Sequence, residues 1–262
     1  MTQPLVERRE LATKYDTSAA KAFAILDAFA GPRTSLGVSE LALTTKLPKS
    51  TVHRLLAVLL GSGYVLRCGD KYRLSVRAFE LGNRVPLCRP DELRDRALPF
   101  MTELFAATRQ TIHLAVLSGT DILYVEKLFG HNSVKLGTRV GQRRPAYTTA
   151  LGKALVAYSE PEQINRNLSV KYLRYTAYTI PNAASMDRSL SRVREEGCAT
   201  DFEESFIGVT CLAVPILDPR TNKAIAALSM STMVGGLSVL RFKALISDAA
   251  NQLSTQIVEP SR

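Results

Sequence analysis

Apolar residues recur at helical spacing in three separate stretches of the first third of the chain. Over residues 18–30 they fall at i, i+3, i+4 and i+7, and a Gly-Pro pair ends the stretch. A second, short helix is expected after Ser39, because serine is a good N-cap, and a proline ends it. A third helix is expected from about Lys49 to Leu60. Its predicted buried face consists of Val52, Leu55, Leu56 and Leu59.

Two short β-prone runs follow the third helix. Residues 64–67 and 71–74 flank a Cys-Gly-Asp turn, which is typical of a β-hairpin. Three helices and a hairpin in this order predict a winged helix-turn-helix, whose third helix enters the major groove of DNA. The alternative is a small helical domain with a solvated, charged face.

The polar residues of the third helix and of the hairpin are small or basic. Such side chains reach base edges from the first turns of a helix, and phosphates or the minor groove from a hairpin. The candidate DNA-binding residues are Lys49, Ser50, Thr51, His53, Arg54, Arg67, Lys71 and Arg73.

From residue 91 onward, helical stretches alternate with β-prone runs. Gly197 is expected to cap one of the helices at its C-terminus. Strand runs flanked by helices predict an α+β sheet domain. Helices are expected at 91–108, 148–159, 185–196 and 239–257, and strands at 111–117, 121–128, 132–137, 210–217 and 224–232.

The composition and the net charge of the chain predict the kind of partner that it binds. The chain of 262 residues is 46% hydrophobic and 22% charged, which suits one large or two smaller globular domains. Its net charge is +10 and its pI about 9.6. Residues 1–89 hold 14 Lys and Arg against 7 Asp and Glu, whereas residues 90–262 hold 20 against 17. The positive excess therefore lies in the first third, and it predicts an acidic partner such as nucleic acid or an anionic surface.

Several classes of protein are excluded by the sequence. No apolar run approaches the roughly 18 residues of a membrane helix, and the N-terminus is too polar for a signal peptide. We therefore expect no membrane partner and a cytoplasmic location. The four cysteines form no CxxC pair and the three histidines lie far apart, which excludes a zinc ribbon or finger. No metal site, cofactor or disulfide is expected.

Three segments of the chain form a pattern that extends over most of its length. The first is LPKSTVHRLL at 47–56, followed by the Gly-Tyr-Val and Tyr-Arg-Leu runs of the hairpin. The second is VGQRRPAYTTALGKA at 140–154, and the third is GCATDFEE at 197–204 with GVTCLAVP at 208–215. Together and in this order, they resemble the IclR-type bacterial transcriptional regulators.

This resemblance implies a complete domain organisation. Residues 1–16 would be a flexible arm, 17–75 a winged helix-turn-helix DNA-binding domain, and 76–90 a linker helix. Residues 91–262 would form an effector-binding and oligomerisation domain of mixed α/β, GAF-like fold. A regulator of this kind binds a double-stranded DNA operator as a homodimer or a dimer of dimers. The family's effectors are small organic acids, some of them aromatic, and they modulate operator binding.

The resemblance also implies where the effector binds. The backbone of Ala150 and Leu151 matches the position that holds the effector carboxylate. The side chains of Asp201, Cys211, Ser229 and Ser231 match residues that line the site in related proteins. The sequence Pro-Ala-Tyr-Thr-Thr-Ala-Leu-Gly further resembles that of the family members that control aromatic-acid (β-ketoadipate) catabolism.

Elementary chemistry agrees with an anion site at this helix. The free N–H groups and the dipole of a helix N-terminus favour a negative charge. Thr148 and Thr149 open the helix, and Arg139, Arg143 and Arg144 precede it. The alternative is that the threonines are ordinary caps and the arginines belong to a solvated loop.

An enzyme is the rival class of function. Cys211 is then the candidate nucleophile, with His113 or His131 as base and Asp201 as the orienting group. Cys211 lies inside an apolar strand run, however, where a cysteine usually behaves as a small hydrophobic residue. No GxSxG, P-loop or HExxH motif occurs. We therefore predict that the protein is not an enzyme and has no catalytic residues.

Overall fold

The chain divides into two compact units, Met1–Val85 and Pro86–Arg262. A computed structural model describes residues 17–31, 33–85, 92–130, 133–134, 136–235 and 238–258. The arm expected at 1–16, the end of the linker expected at 76–90, and His131 lie outside these ranges.

The first unit is a winged helix-turn-helix, as predicted. All four apolar residues predicted for the buried face of the third helix lie in the core of this unit. Ile25, Leu41 and Tyr72, from other elements, pack with them. Three antiparallel strands in the order β1-β3-β2 form the wing sheet. The helices are α1 (Ser18–Ala28), α2 (Val38–Thr45), α3 (Lys49–Gly61) and α4 (Val76–Gly82), and the strands are β1 (Leu36–Gly37), β2 (Val65–Cys68) and β3 (Lys71–Leu74).

The start of α2 differs from the prediction. Ser39 lies inside the helix, which begins at Val38. The Glu40 carboxylate accepts a hydrogen bond from the Gly37 N–H at 2.8 Å, so a side chain of the first turn stabilises the start in place of a serine cap.

The second unit is an α+β domain built on one antiparallel sheet. Its six strands lie in the order β6-β5-β4-β9-β8-β7. Short 3₁₀ turns precede α6 and α9. The helices are α5 (Leu93–Thr108), α6 (Ala150–Ala157), α7 (Pro161–Leu168), α8 (Ala183–Glu196) and α9 (Lys243–Val258). The strands are β4 (Thr111–Ser118), β5 (Asp121–Leu128), β6 (Arg143–Pro145), β7 (Ala199–Phe202), β8 (Val209–Leu217) and β9 (Ala224–Met233).

Helices cover both faces of this sheet, and the two faces carry different residues. Successive side chains of a strand point to opposite faces. Leu212, Leu228 and Met230 pack with α5 and α9 into one apolar core. Ala213 and Ala227 pack with α6 and α8 into a second core on the other face. Because the residues that β8 and β9 contribute to this second face are small, it can accommodate a cavity.

One predicted strand is wrong, and four elements were not foreseen. None of the described residues among 132–137 lies in a strand. Their polar groups are used elsewhere, since the Val134 carbonyl accepts from Thr111 Oγ1 at 2.7 Å, and the edge of β5 pairs with β6 instead. The elements that the patterns did not predict are β1, β6, β7 and α7. Each is short, and a short element shows little periodicity.

Within the described ranges, no helix is both long enough and apolar enough to span a membrane.

Candidate functional site

The N-terminus of α6 opens onto a cavity, and two residues set its geometry. Thr149 caps the helix, because its Oγ1 accepts a hydrogen bond from the Gly152 N–H at 2.9 Å. A Cβ on Gly152 would lie 2.1 Å from the Ala146 carbonyl oxygen, so only glycine permits this close approach of the preceding 3₁₀ turn. The N–H groups of Ala150 and Leu151 lie in the first turn, where amides have no hydrogen-bond acceptor within the helix. They also lie at the positive end of the helix dipole.

The cavity has an empty volume of about 310 Å³, which includes space open to solvent. It lies between this helix end, the small-residue face of the sheet and the loop that joins β7 to β8. All six residues expected from the sequence line it: Ala150, Leu151, Asp201, Cys211, Ser229 and Ser231. Six further residues complete the lining: His113, Tyr124, Leu136, Thr149, Ser205 and Phe206.

Cross-strand pairs form the polar wall of the cavity. Cys211 and Ser231 are register partners on β8 and β9, and their Sγ and Oγ atoms lie 3.1 Å apart. His113 on β4 pairs with Ser229 on β9 in the same way. From the sequence, His113 was named only as a base for Cys211 in the enzyme alternative and not as an effector-site residue, because only the β4–β9 pairing brings it beside Ser229.

His113 and Lys127 position a loop segment over the sheet. The His113 Nε2 lies 2.8 Å from Thr138 Oγ1, and Lys127 Nζ donates to the backbone carbonyls of Leu136 (2.7 Å) and Thr138 (2.9 Å). Burial, together with the Lys127 charge, lowers the pKa of His113 to about 3, so its imidazole is neutral. Leu136, held in this way, adds an apolar group to the lining.

The proposed nucleophile of the enzyme alternative is not activated. Burial raises the pKa of the Cys211 thiol far above its usual range, and the neighbouring Asp201 charge acts in the same direction. The thiol shares its hydrogen bond with Ser231, and the neutral His113 is bonded to Thr138. The arrangement therefore supplies no thiolate–imidazolium pair within the described residues.

Asp201 carries an unusual carboxyl group. It is 3% exposed, and burial raises its pKa to about 7, with the nearby Lys153 opposing the shift and Glu204 adding to it. Its Oδ1 accepts a hydrogen bond from the Glu204 N–H at 2.7 Å. Lys153, itself buried, lies 2.6 Å from Glu204 Oε1. Asp201 is therefore a group that changes charge near neutral pH.

The three arginines that precede α6 are not among the residues that line the cavity. The Arg144 guanidinium lies over the rings of Phe206 (4.3 Å) and Tyr175 (5.4 Å), and Nη2 donates to the Ser205 carbonyl at 3.4 Å. Arg143 is exposed and reaches the Ser118 carbonyl. Positive charge at this site therefore comes from the helix end and from Lys153 near Asp201, and not from one of these three arginines.

The eight candidate DNA-binding residues all lie in the first unit, on α3 and the wing. Four are exposed on α3, on faces other than the buried stripe, and Thr51 is half-buried. Pro48 precedes α3 and provides no side-chain cap for its first amides. Arg67 Nε donates to the Gly69 carbonyl at 3.0 Å, which places this side chain at the hairpin turn. The exposed members are Lys49, Ser50, His53, Arg54, Arg67, Lys71 and Arg73.

Comparison with known proteins gives these two sites a context. Residues 88–255 match the family described as bacterial transcriptional regulator IclR C-terminal, and residues 18–67 match the IclR helix-turn-helix domain. The chain is 36% identical over 247 residues to the HTH-type transcriptional regulator KdgR of Escherichia coli strain K12, covering 92% of each chain. It is 33% identical over 250 residues to XynR of the same organism, covering 93% of this chain and 98% of XynR.

A solved structure agrees with the fold over most of the chain. This is an IclR homologue from Microbacterium hydrocarbonoxydans in complex with 4-hydroxybenzoate. It matches with a TM-score of 0.82 at 28% identity and covers 92% of this chain and 99% of that chain. The chain therefore belongs to the IclR family of transcriptional regulators, with an N-terminal helix-turn-helix domain and a C-terminal ligand-binding domain.

Proposed function

We propose that this protein is a transcriptional regulator whose affinity for a DNA operator changes when a small organic acid binds in the cavity of the second unit. One observation carries the proposal: the free amides of a capped helix end and a wall of small polar side chains meet around one cavity. Such a regulator acts in the cytoplasm, where bacterial DNA lies.

The charge of the cavity favours a single carboxylate. None of the described lining residues is a lysine or arginine, so the amides of Ala150 and Leu151 are the groups among them that attract an anion. Asp201 would repel an acid if it were fully ionised. Because its pKa is raised to about 7, this carboxyl is partly neutral at neutral pH and accommodates an anion nearby.

The aromatic-acid class is the more specific part of the proposal. Tyr124, Phe206, Leu136 and Leu151 supply the apolar contacts that an aromatic ring requires. The relative from Microbacterium hydrocarbonoxydans was solved with 4-hydroxybenzoate. We therefore put aromatic acids first in a panel that also contains aliphatic ones.

In this proposal the first unit binds the DNA. We place α3 in the major groove, with Lys49 and Arg54 near base edges and the basic residues of the wing on phosphates. One such module covers too few base pairs for selective binding in a genome. We therefore propose a homodimer, or a dimer of dimers, on an operator with two-fold symmetry.

The experiment measures operator and acid binding together. A duplex selected from a random pool by the full chain serves as the operator, and benzoate, 4-hydroxybenzoate, propanoate and lactate serve as ligands. At least one acid should change the dissociation constant for the operator by about five- to 150-fold, since a sensor acts through different affinities of two states.

The variant Ala150→Pro tests the anion site. Proline fits the first position of a helix after an extended residue, and Thr149 is extended, but it removes the Ala150 N–H. The affinity for the acid, measured by calorimetry, should fall roughly tenfold or more. Operator binding without acid should be unchanged. Ala183→Pro, at the same position of α8, is the matched control. Unchanged acid affinity in Ala150→Pro would place the carboxylate elsewhere.

A further inference from the structure

Three buried polar atoms without a hydrogen-bond partner belong to neighbouring residues, one of which lines the cavity. Among the described residues, the side-chain atoms in this state are Arg144 Nε, Glu204 Oε2 and Ser205 Oγ. Glu204 and Ser205 are adjacent in the chain, and Arg144 Nη2 contacts the Ser205 carbonyl. Native proteins pair nearly all buried polar atoms, so three unpaired ones on neighbouring residues require an explanation, such as a polar partner from outside the chain.

Of the three residues, Ser205 lines the cavity. It is 7% exposed, and its hydroxyl has no hydrogen-bond partner among the described residues. The segment that carries it is held from two sides. Arg144 stacks on Phe206, the next residue, and Thr179 Oγ1 donates to the Glu204 carbonyl at 2.7 Å. The serine is therefore presented to the cavity by a fixed segment.

The chemistry around Ser205 selects a hydroxyl group over a second carboxylate. A serine hydroxyl both donates and accepts, whereas the free oxygen of the Glu204 carboxylate, ion-paired to Lys153 through its other oxygen, only accepts. Neither Glu204 nor Arg144 is among the described lining residues, so a second ligand carboxylate beside Ser205 would meet the Asp201 carboxyl. A ligand hydroxyl can donate to one group and accept from another, and Asp201 lines the same cavity.

We propose that Ser205 is a specificity-determining residue of the effector site: its hydroxyl binds a hydroxyl group of the effector, so the protein selects hydroxylated acids over the same acids without that hydroxyl. Arg144 is a positioning residue, which acts through its stack on Phe206 and its contact with the Ser205 backbone. The inference rests on the proposed function, because it concerns the same cavity.

The test uses calorimetry on the full chain with matched pairs of acids. The probes are benzoate with 4-hydroxybenzoate, and propanoate with lactate. In at least one pair, the wild type should bind the hydroxylated acid tenfold or more tightly than its partner. Ser205→Ala should lower the affinity for the hydroxylated acid roughly tenfold and leave that for its partner unchanged. Ser159→Ala is the control, because its Oγ already donates to the Leu155 carbonyl.

The outcomes separate this inference from the proposed function. If an acid binds but the wild type shows no preference for the hydroxylated member, the inference is overturned and the proposed function stands. An equal loss for both members in Ser205→Ala, in a protein that melts like the wild type, also overturns it, since the serine would then act through the shape of the loop. If no acid binds to the wild type, both proposals fail.

Discussion

Asp201 shows how burial changes the chemistry of one residue. Its carboxyl is buried beside another carboxylate, and the positive charge of Lys153 and two backbone N–H groups offset only part of the cost of ionising it. The result is a pKa of about 7, far from the usual 3.8. The same residue is thus a candidate ligand contact and a proton-binding group.

The raised pKa of Asp201 predicts a pH dependence of stability. Between pH 4 and 7 the folded state holds a proton that the unfolded state has lost, so the free energy of unfolding falls as pH rises through this range. Asp201→Asn removes this contribution. Across the window the wild type should lose on the order of a few kcal/mol relative to the variant. Urea unfolding at several pH values measures it, with the exposed Asp187→Asn as control. Parallel curves for wild type and Asp201→Asn would contradict the prediction.

At the scale of elements, the start of α6 depends on one glycine. The 3₁₀ turn before the helix packs its Ala146 backbone where any side chain at position 152 would lie. This packing and the Thr149 cap together aim the first amides of α6 at the cavity. Gly152 therefore allows close contact between the helix and the Ala146 backbone, whereas a Cβ at the helical Gly61 or Gly82 would meet nothing within 4 Å.

Gly152→Ala tests this contact against Gly82→Ala. Alanine normally stabilises a helix by about 0.5–1 kcal/mol relative to glycine, and a Cβ at Gly82 would meet nothing within 4 Å. Gly82→Ala should therefore be neutral or slightly stabilising. Gly152→Ala should lower the free energy of unfolding by on the order of 2–3 kcal/mol, because backbone must move. Thermal and urea unfolding measure both. Equal effects in the two variants would show that the turn adapts without cost.

At the scale of the whole molecule, charge and ligand chemistry are divided between the two units. Most of the positive excess lies in residues 1–89, while the described residues that line the cavity of the second unit are neutral groups and one buried carboxyl. The first unit is therefore suited to a polyanion, and the second to a small molecule with one negative charge. A regulator requires both activities in one chain.

Two arginine variants separate base recognition from phosphate binding. Arg54→Ala, on α3, should weaken operator binding by about 1–3 kcal/mol and leave random DNA less affected. Arg67→Ala, on the wing, should weaken both alike and reduce the salt dependence by about one counterion. Fluorescence anisotropy at several salt concentrations measures this. Arg166→Ala, exposed on α7, is the control. If Arg54→Ala weakens operator and random duplex equally, α3 does not read bases through this residue.

Local patterns in the chain were enough to predict the winged helix-turn-helix, the helix that begins at the Thr-Thr-Ala-Leu-Gly turn, and most strands of the second unit. Each of these rests on periodicity, capping or turn chemistry within about 15 residues. The resemblance to a family added the six residues that the structure brings together around the cavity. The elements were therefore predicted from local patterns, and the cavity residues from sequence motifs shared with the family.

Long-range pairing decided the rest. His113 belongs to the cavity because β4 pairs with β9, and the patterns on the two strands do not encode which strands become neighbours. In the same way, β5 took Arg143–Pro145 as its edge partner and not the predicted run at 132–137, whose backbone is bonded by side chains. The unpaired hydroxyl of Ser205 and the pKa of Asp201 follow from burial. Burial is a property of the packed molecule, because it depends on residues far apart in the chain.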